Sequence, residues 1–176
     1  MIFEETAIAG VVLVRTEAHI DSRGSFGRTF CGEEFAAQDL PRLFEQSSVS
    51  HNVRAGTLRG LHYQLEPYGE AKFVRCMRGA VFDVVVDLRR DSPTQGRWIG
   101  ELLCAENAVG LYIAPGLAHG FQTLVDESDV LYQITPAYRP GHGAGVRWND
   151  PAFQIRWPVA NPILSERDAT YPDWHP

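Results

Sequence analysis

Seven consecutive residues, from Leu58 to Gln64, bring a guanidinium, an imidazole and a phenol close together in the sequence. Because the side chains of a β-strand alternate between its two faces, His62 and Gln64 would share one face while Arg59 and Tyr63 share the other. A half-solvated strand normally separates apolar from polar residues more cleanly. The segment is therefore either the wall of a pocket or an ordinary edge strand with one core histidine, and both interpretations stay open at this point.

Six titratable side chains could take part in chemistry, because they fall in or beside expected strands or in the C-terminal tail. Each also has an ordinary structural explanation. A single histidine on a strand is more often structural than catalytic, and an aspartate inside a barrel can belong to a hydrogen-bond network. Asp168 lies in a pattern typical of a helix start, with Ser165 as the N-cap. The six are His62, Lys72, Asp83, His119, Tyr132 and Asp168.

Lys72 is the only lysine in a chain with sixteen basic residues. An ammonium is compact and changes its pKa readily on burial, whereas a guanidinium is planar and stays charged. The single lysine therefore marks a position where an ammonium is specifically needed, or it is an accident of composition.

A metal site is the first kind of function to consider for a histidine on such a strand. Ligation by two histidines and a carboxylate would require a second histidine or a glutamate close by. The next residue on the face of His62 is Gln64, and Lys72 carries a charge that repels a cation. The sequence therefore predicts that there is no metal site.

Composition limits the classes of function. The chain has 176 residues, of which 44% are hydrophobic, and a formal net charge of -6. This is enough for one core, and the negative charge argues against general binding to nucleic acid or an anionic membrane. We expect a soluble, cytoplasmic protein, because no signal-peptide pattern or membrane-spanning apolar run is present. Cys31, Cys76 and Cys104 are odd in number and widely spaced, so we expect them to be reduced.

Short strands separated by turns account for most of the chain. The clearest is 81–89, in which one face is apolar and the other carries two aspartates. The best helix candidate is 33–40, ended by Pro41. Strands and turns in this proportion predict an all-β sandwich or barrel with minor helix. The other expected strands are 11–14, 26–30, 44–52, 57–64, 72–78, 98–103, 110–113, 119–124 and 129–135.

We expect these elements to form a single domain. Residues 1–45 would supply N-terminal strands and the short helix, and residues 46–157 the barrel core. Residues 158–176 are rich in proline and aromatic residues, so we expect an irregular tail that packs over the body, with one helical turn near Ser165.

Six motifs that follow one another along nearly the whole chain resemble the dTDP-4-dehydrorhamnose 3,5-epimerase family. The order of the motifs is stronger evidence than any one of them. They are Arg-Gly-Leu-His-Tyr-Gln at 59–64, Lys-Phe-Val-Arg at 72–75, Gly-x-Val-x-Asp-Val-Val-Val-Asp-Leu-Arg at 79–89, Ser-Pro-Thr-x-Gly-x-Trp at 92–98, Pro-Gly-Leu-Ala-His-Gly-Phe at 115–121 and Trp-Asn-Asp-Pro at 148–151.

The resemblance implies a cupin-type jelly roll that forms a homodimer, needs no cofactor or metal, and acts on a nucleotide-linked 4-keto-6-deoxy sugar, with dTDP as the expected carrier. The ketone at C4 acidifies the hydrogens on C3 and C5. One base and one group that stabilises the enolate oxygen can therefore serve two epimerisations in turn.

The resemblance also implies roles for the titratable residues. His62 matches the general base, and Asp168 matches the partner that orients its imidazole, with Asp83 supporting this network. Lys72 matches the cation that faces the enolate oxygen, where negative charge develops during the reaction. Tyr132 matches the acid that returns a proton from the opposite face of the sugar.

A second set of residues matches positions that hold the substrate. Arg59 and His119 resemble the diphosphate contacts, because a guanidinium fork and a second cation suit phosphate oxygens. The residues that match the remaining substrate positions, Tyr138 as a base-stacking group among them, are Arg23, Phe26, Gln46, Tyr138 and Arg167.

Three positions depart from the family pattern, all of them among the substrate-holding residues. Arg28 and Ser48 stand where the family has glutamate and asparagine, and Gly143 stands where it has glutamate. We therefore include Arg28 and Ser48 as candidate substrate contacts that could alter the preference for the nucleotide.

Several functions remain possible on this basis. The chain could invert C3, C5 or both, or act as a related cupin ketoisomerase on a different nucleotide sugar. Less expected alternatives are a non-catalytic sugar-nucleotide binding module and a metal-dependent cupin oxygenase.

Overall fold

The computed structural model describes residues 1–175, and Pro176, the last residue of the predicted tail, lies outside the described residues. Strands account for nearly all of its regular structure. In chain order the elements are β1 (Ile2–Glu5), β2 (Val11–Arg15), β3 (Ala18–Asp21), β4 (Gly24–Gly27), α1 (Gly32–Ala36), β5 (Gln46–Asn52), β6 (Leu58–Gln64), β7 (Ala71–Arg78), β8 (Ala80–Asp87), β9 (Trp98–Cys104), β10 (Val109–Ile113), β11 (Leu117–Thr123), β12 (Ser128–Thr135), β13 (Gly143–Gly145) and α2 (Glu166–Ala169).

Two sheets face each other. One has the strand order β1-β2-β10-β7-β12-β5 and the other the order β13-β6-β11-β8-β9, while β3 and β4 form a separate hairpin. All strand pairs within the sheets are antiparallel. The all-β jelly roll with minor helix that the sequence predicts is confirmed. Strands β1 and β2 extend the first sheet, so the N-terminal segment shares a sheet with the expected barrel core.

The apolar residues of β8 are divided between two hydrophobic clusters. Val81 and Val85 point into the space between the sheets, where they pack with residues of the opposite sheet such as Val74. Val84 and Val86 point the other way, into a cluster that residues near the C-terminus complete. The face of β8 that carries the two aspartates in the sequence therefore points into the space between the sheets. It brings Asp83 into the protein interior, where this residue is 0% exposed.

Helix α1 is shorter than predicted, and the chain turns after Ala36. The amides of Gln38 and Leu40 both donate to the carbonyl of Phe35, and Asp39 has a φ of 57°, so the segment closes in a turn before Pro41. Phe35 is fully buried against the outer face of the first sheet. The predicted helix therefore exists, but its last four residues do not belong to it.

One expected strand needs correction, and three short strands were not expected. The expected strand at 26–30 is replaced by the hairpin of β3 and β4, which ends at Gly27 because Phe30 turns inward to pack on Phe35. Strands β1, β3 and β13 were missed. Each has four residues or fewer, and β13 consists of Gly-Ala-Gly, which shows no hydrophobic alternation.

A bulge interrupts the pairing of β6 with β11. His62 lies opposite His119, but Arg59 lies opposite Phe121, so two residues of β6 face one residue of β11. An extra residue of this kind reverses the alternation of side chains beyond it. Arg59 and His62 therefore point to the same side, and the expectation from simple alternation that they lie on opposite faces is wrong.

The bulge depends on two glycines that let the strand backbones approach closely. Gly60 has a φ of 144°, and a Cβ built on it would lie 2.5 Å from the Cα of Gly120. A Cβ on Gly120 would lie 2.7 Å from the carbonyl oxygen of Arg59. Both contacts are with backbone, which cannot move aside as a flexible side chain could.

In the described part of the chain, no helix is long and apolar enough to cross a membrane.

Replacing Gly60 by alanine should reduce the free energy of unfolding by roughly 2–4 kcal/mol, because the new methyl group meets backbone and the φ is unfavourable for alanine. Denaturant unfolding would measure this. Gly24→Ala is the matched control, since Gly24 has a φ of 128° but nothing lies within 4 Å of its built Cβ. An equal loss in both variants would show that the close approach of β6 and β11 does not matter.

Candidate active site

A cavity of about 400 Å³ opens between the inner faces of the two sheets, beside the bulge of β6. Its walls come from β5, β6, β7, β11, β12, the loop after β12, β13 and α2. Most of the residues that the sequence singles out lie in this one space: Gln46, Ser48, Arg59, His62, Lys72, His119, Tyr132, Tyr138, Gly143, Arg167 and Asp168. The interpretation of 58–64 as the wall of a pocket is therefore correct.

His62 and Asp168 form a hydrogen-bonded pair at one wall. His62 Nε2 lies 2.6 Å from Asp168 Oδ1, and the imidazole is 41% exposed while the carboxylate is only 6% exposed. Burial opposes ionisation of the carboxyl group, but the hydrogen bond and charge of His62 hold the pKa of Asp168 below its usual value. The pair thus presents an imidazole edge to the cavity with a carboxylate fixed behind it.

The C-terminal tail brings Asp168 to this position. Ser165 caps α2, with its hydroxyl accepting from the Asp168 amide at 3.1 Å. Just before the helix, the Leu58 amide donates to the Ile163 carbonyl, and the Ile163 amide donates to the Gly56 carbonyl, both at 2.9 Å. The tail therefore runs beside the start of β6, which places α2 next to His62.

Lys72 lies on β7 with its ammonium against the carboxylate of Glu70. The Nζ atom is 2.8 Å from Glu70 Oε1, and the two side chains are 7% and 8% exposed. Burial lowers the pKa of the Lys72 ammonium, while Glu70 acts in the opposite direction. Sequence reasoning missed Glu70, although its position two residues before Lys72 on the same strand face was an available signal.

Tyr132 lies at the centre of the inner face of the first sheet, opposite Val74 on β7 and Ser48 on β5. Its ring makes an edge contact with the His119 ring at a centroid distance of 5.7 Å. Burial raises the pKa of the Tyr132 phenol well above its usual value, and the Asp83 carboxylate acts in the same direction. The phenol therefore keeps its proton at neutral pH and is available as a proton donor.

His119 and Asp83 form a second pair deeper in the protein. His119 Nε2 lies 2.9 Å from both carboxylate oxygens, and the side chains are 2% and 0% exposed. Burial raises the pKa of the Asp83 carboxyl, and His119 opposes this. Asp83 therefore contacts His119 and not the pair of His62 and Asp168, which corrects the expected connection.

Arg59 reaches the cavity wall from the far side of the bulge. Its Nε donates to Asn52 Oδ1 at 2.8 Å, and the Asn52 amide nitrogen donates to the carbonyls of Ser50 and Ser128 at 3.0 Å. The buried asparagine thus fixes the direction of the guanidinium. Arg59, together with Arg167, gives the cavity positive charge that suits an anionic ligand, whereas the charge of Lys72 is balanced by Glu70.

Tyr138 and Arg167 meet at the rim of the cavity over Gly143. A Cβ built on Gly143 would lie 3.1 Å from the Tyr138 hydroxyl and 3.3 Å from Arg167 Nη2. The Tyr138 amide donates to Gln46 Oε1 at 3.1 Å, which ties this loop to β5. The absence of a side chain at position 143 therefore leaves room for the tyrosine and the arginine to lie side by side.

Three predicted substrate contacts do not line this cavity. Arg23 and Phe26 lie on the hairpin of β3 and β4, where Arg23 pairs with Asp21 and Phe26 is 80% exposed. Arg28 pairs with Glu34 on α1. The structure of one chain therefore does not bring these residues to the other candidate residues.

The arrangement suits proton transfer beside a carbonyl group. It combines an imidazole backed by a carboxylate, a phenol that stays protonated and an ammonium, all facing one space. Residues 1–175 contain no group of three or more histidine, cysteine or acidic side chains that could hold a metal ion. The acid, base and charge-stabilising roles can all be filled by side chains.

Replacing Asp168 by asparagine should destabilise the protein most above about pH 4, because a carboxyl group with a lowered pKa stabilises the fold only while it is ionised. The difference between wild type and variant should shrink as the pH falls through the lowered pKa. Urea unfolding from pH 7 to pH 3 would measure it. The exposed Asp91→Asn variant serves as the control, and a constant difference for Asp168→Asn at all pH values would contradict the prediction.

Comparisons with known proteins agree with this geometry. A family model for dTDP-4-dehydrorhamnose 3,5-epimerase matches residues 5–175. A dTDP-4-dehydrorhamnose 3,5-epimerase from Sinorhizobium fredii is 41% identical over 173 residues, covering 98% of this chain and 89% of the relative. A dTDP-4-dehydrorhamnose 3-epimerase from Streptomyces niveus is 41% identical over 162 residues, covering 92% and 78%.

A solved structure gives the same answer for the fold. The crystal structure of dTDP-4-dehydrorhamnose 3,5-epimerase from Bacillus anthracis, with TDP and PPi bound, superposes with a TM-score of 0.95 and 39% identity, covering 98% of both chains. The match extends over the jelly roll, the hairpin and the C-terminal tail alike. The chain therefore belongs to the dTDP-4-dehydrorhamnose 3,5-epimerase family.

Proposed function

We propose that this protein is an isomerase that inverts C3 and C5 of a dTDP-linked 4-keto-6-deoxy sugar through an enolate. The observation that carries the proposal is the meeting of His62, Lys72, Tyr132 and Asp168 in one cavity. Membership of the epimerase family supports the reaction type. A non-catalytic binding module would have no need for this set of acid, base and cation.

The first step is removal of a proton from the carbon next to the C4 ketone. His62 accepts the proton at the nitrogen that faces the cavity, and Asp168 stabilises the imidazolium that forms. The electron pair of the broken C–H bond moves into the enolate, so negative charge develops on the C4 oxygen. Lys72 offers an ammonium to that oxygen, where its charge stabilises the enolate more than the ketone.

The second step is return of a proton to the opposite face of the same carbon. Tyr132 supplies it from the inner face of the first sheet, whereas His62 lies on the facing sheet. A base on one sheet and an acid on the other provide the two sides that inversion requires. Exchange with water then removes the extra proton from His62 and returns a proton to Tyr132.

Arg59 and His119 hold the diphosphate, and Gln46, Tyr138 and Arg167 hold the nucleotide end. Support comes from their positions along one cavity and from the cationic character of Arg59 and Arg167. Asp83 contributes by holding the His119 ring in place.

We also propose that the chain is one domain, since the N-terminal strands extend the main sheet, and Trp157, just before the tail, and Trp174, within it, pack against the second hydrophobic cluster. Its free cysteines fit a reducing compartment, so we place the enzyme in the cytoplasm.

The assembly that we propose is a homodimer in which the hairpin of β3 and β4 reaches the partner's cavity. Ile20 and Phe26 on this hairpin are 83% and 80% exposed, which is a large apolar exposure on a short two-stranded element. Arg23 and Phe26 can hold a nucleotide only if it is bound in another chain's cavity. Arg28 lies at the base of the same hairpin.

A second candidate function is inversion of C3 alone. The relative from Streptomyces niveus is named a 3-epimerase and is as similar to this chain, at 41% identity, as the relative from Sinorhizobium fredii that is named a 3,5-epimerase. Both reactions need the same base, acid and cation. The distinction therefore depends on which carbon can approach His62 and Tyr132.

Incubation with the dTDP-4-keto-6-deoxy sugar in D2O should place deuterium at C3 and C5, and at C3 alone if the second candidate is correct. NMR of the product would show it.

His62→Asn should reduce exchange at both carbons by about 100-fold or more because the base is lost, while dTDP binding persists. Tyr132→Phe should retain exchange but lose inversion, because abstraction remains possible without the acid.

Matched controls exist for both variants. His51→Asn alters an exposed histidine that lies 2.6 Å from Asp129, and Tyr68→Phe alters a tyrosine that packs on His142. Both should leave exchange unchanged. Folded wild-type protein that shows no exchange would rule out the proposed reaction, and full exchange by His62→Asn would remove His62 from its role.

Phe26→Asp should shift the protein from dimer to monomer and weaken dTDP binding, since a buried charge would oppose docking of the hairpin. Light scattering would give the molar mass and calorimetry the affinity. Val125→Asp, which alters an apolar residue that is 46% exposed, is the control. A wild-type mass close to that of a single chain would contradict the dimer.

A further inference from the structure

We propose that Glu70 is a positioning residue that holds Lys72 as an ammonium ion at the wall of the cavity. The resemblance to the epimerase family assigned no role to Glu70. The inference deepens the proposed function, on which it rests for the role of Lys72 at the enolate oxygen. It concerns the protonation and placement of Lys72, so it can be tested without turnover.

The contact between the two side chains is direct and shielded from water. Glu70 immediately precedes β7 and is separated from Lys72 by one residue, so both side chains point to the same face of the strand. The Nζ atom lies 2.8 Å from Oε1, and neither side chain is more than 8% exposed. A pair at this distance, away from solvent, interacts much more strongly than an exposed ion pair.

The second oxygen of Glu70 is also held. Oε2 accepts from Gln64 Nε2 at 2.7 Å, and Gln64 Oε1 accepts from the Arg139 amide at 3.0 Å. The direction of the Gln64 amide is thereby set at both ends, with its nitrogen towards the carboxylate. Glu70 is fixed between β6 and β7 and cannot rotate away from the lysine.

Lys72 needs such a partner because its surroundings disfavour a positive charge. Burial by itself lowers the pKa of a lysine, and Glu70 is the group that opposes this effect. Asp168 is the other carboxylate that lines the cavity. The other titratable or charged groups around the cavity are Arg59, His62 and Tyr63 on β6, His119 on β11, Tyr132 on β12, Tyr138 after it, and Arg167 and Asp168 on α2.

The placement also suits the reaction. A neutral amine could donate a hydrogen bond to the enolate oxygen but would not offset its charge, so the benefit depends on Lys72 keeping its proton. Glu70 contacts Nζ through a single oxygen, which leaves further ammonium protons to face the cavity. The carboxylate thus keeps the cation charged before substrate arrives without occupying all of its donors.

A purely structural role for Glu70 is the alternative. It would hold the loop after β12 through Gln64, and its loss would lower stability without altering the titration of Lys72. The two roles therefore predict different results for one measurable quantity, the pH at which the lysine loses its proton.

The sequence makes that measurement unusually clean, because Lys72 is the only lysine in the chain. Protein grown with lysine labelled by ¹³C at Cε should give one lysine resonance, whose shift against pH follows the ammonium directly. In Glu70→Gln the midpoint should fall by about 1 pH unit or more, as expected for loss of an opposite charge in contact. Glu66→Gln, in the same loop but outside the cavity, should leave the midpoint unchanged.

Activity provides a second reading. Glu70→Gln should lower kcat with little change in KM, because the ammonium stabilises the enolate more than the bound ketone. The alkaline limb of its kcat profile should move to lower pH by the same amount as the NMR midpoint. Glu70→Asp, which keeps the charge with a shorter reach, should give an intermediate midpoint and partial recovery of kcat.

An unchanged midpoint in folded Glu70→Gln would overturn the inference, whatever the activity. If that variant does not fold, a wild-type midpoint below neutral pH would overturn the inference, because Glu70 would then not be holding Lys72 as an ammonium ion. Wild-type protein that titrates as expected but exchanges no deuterium would instead reject the proposed function and leave the pairing of Glu70 with Lys72 supported.

Discussion

The close approach of β6 and β11 at Gly60 and Gly120 is the constraint on which the site depends. No side chain separates the two backbones there, and the extra residue on β6 reverses the alternation of the strand. Arg59 and His62 consequently face the same cavity. Without the bulge, either Arg59 or His62 would point out of the space between the sheets, and one extended ligand could not meet both.

Three pairs of opposite charge type lie in and behind the wall of the cavity. His62 lies against Asp168, Lys72 against Glu70, and His119 against Asp83. Pairing is necessary because an isolated charge in a dry interior is too costly to maintain. The three pairs differ in exposure, and only the imidazole of His62 is substantially open to the cavity. This difference fits the proposed division between His62, which would exchange protons with a substrate, and the other groups, which would supply fixed charge.

Local patterns predicted much of this arrangement. The alternation in 81–89 identified the buried strand β8 with Asp83 on its inner face, and the motif at 59–64 identified the wall of the cavity. Predictions failed where a specific backbone or side-chain contact, and not residue alternation, decides the outcome. Helix α1 ends early because its turn closes on Phe35, and the strand expected at 26–30 gives way because Phe30 packs inward. Glu70 was missed because its importance depends on Gln64 and on burial.

The sequence by itself determined the family, the all-β class and the chemical types at the site, since motif order and residue alternation are local properties of the chain. Only the tertiary structure decided which of those residues meet. It brought Asp168 across 106 positions to His62, moved Arg59 to the inner face, and left Arg23 and Phe26 outside the cavity of their own chain. The physical reason is that proximity depends on strand register, bulges and close backbone packing, which arise from contacts between segments far apart in sequence.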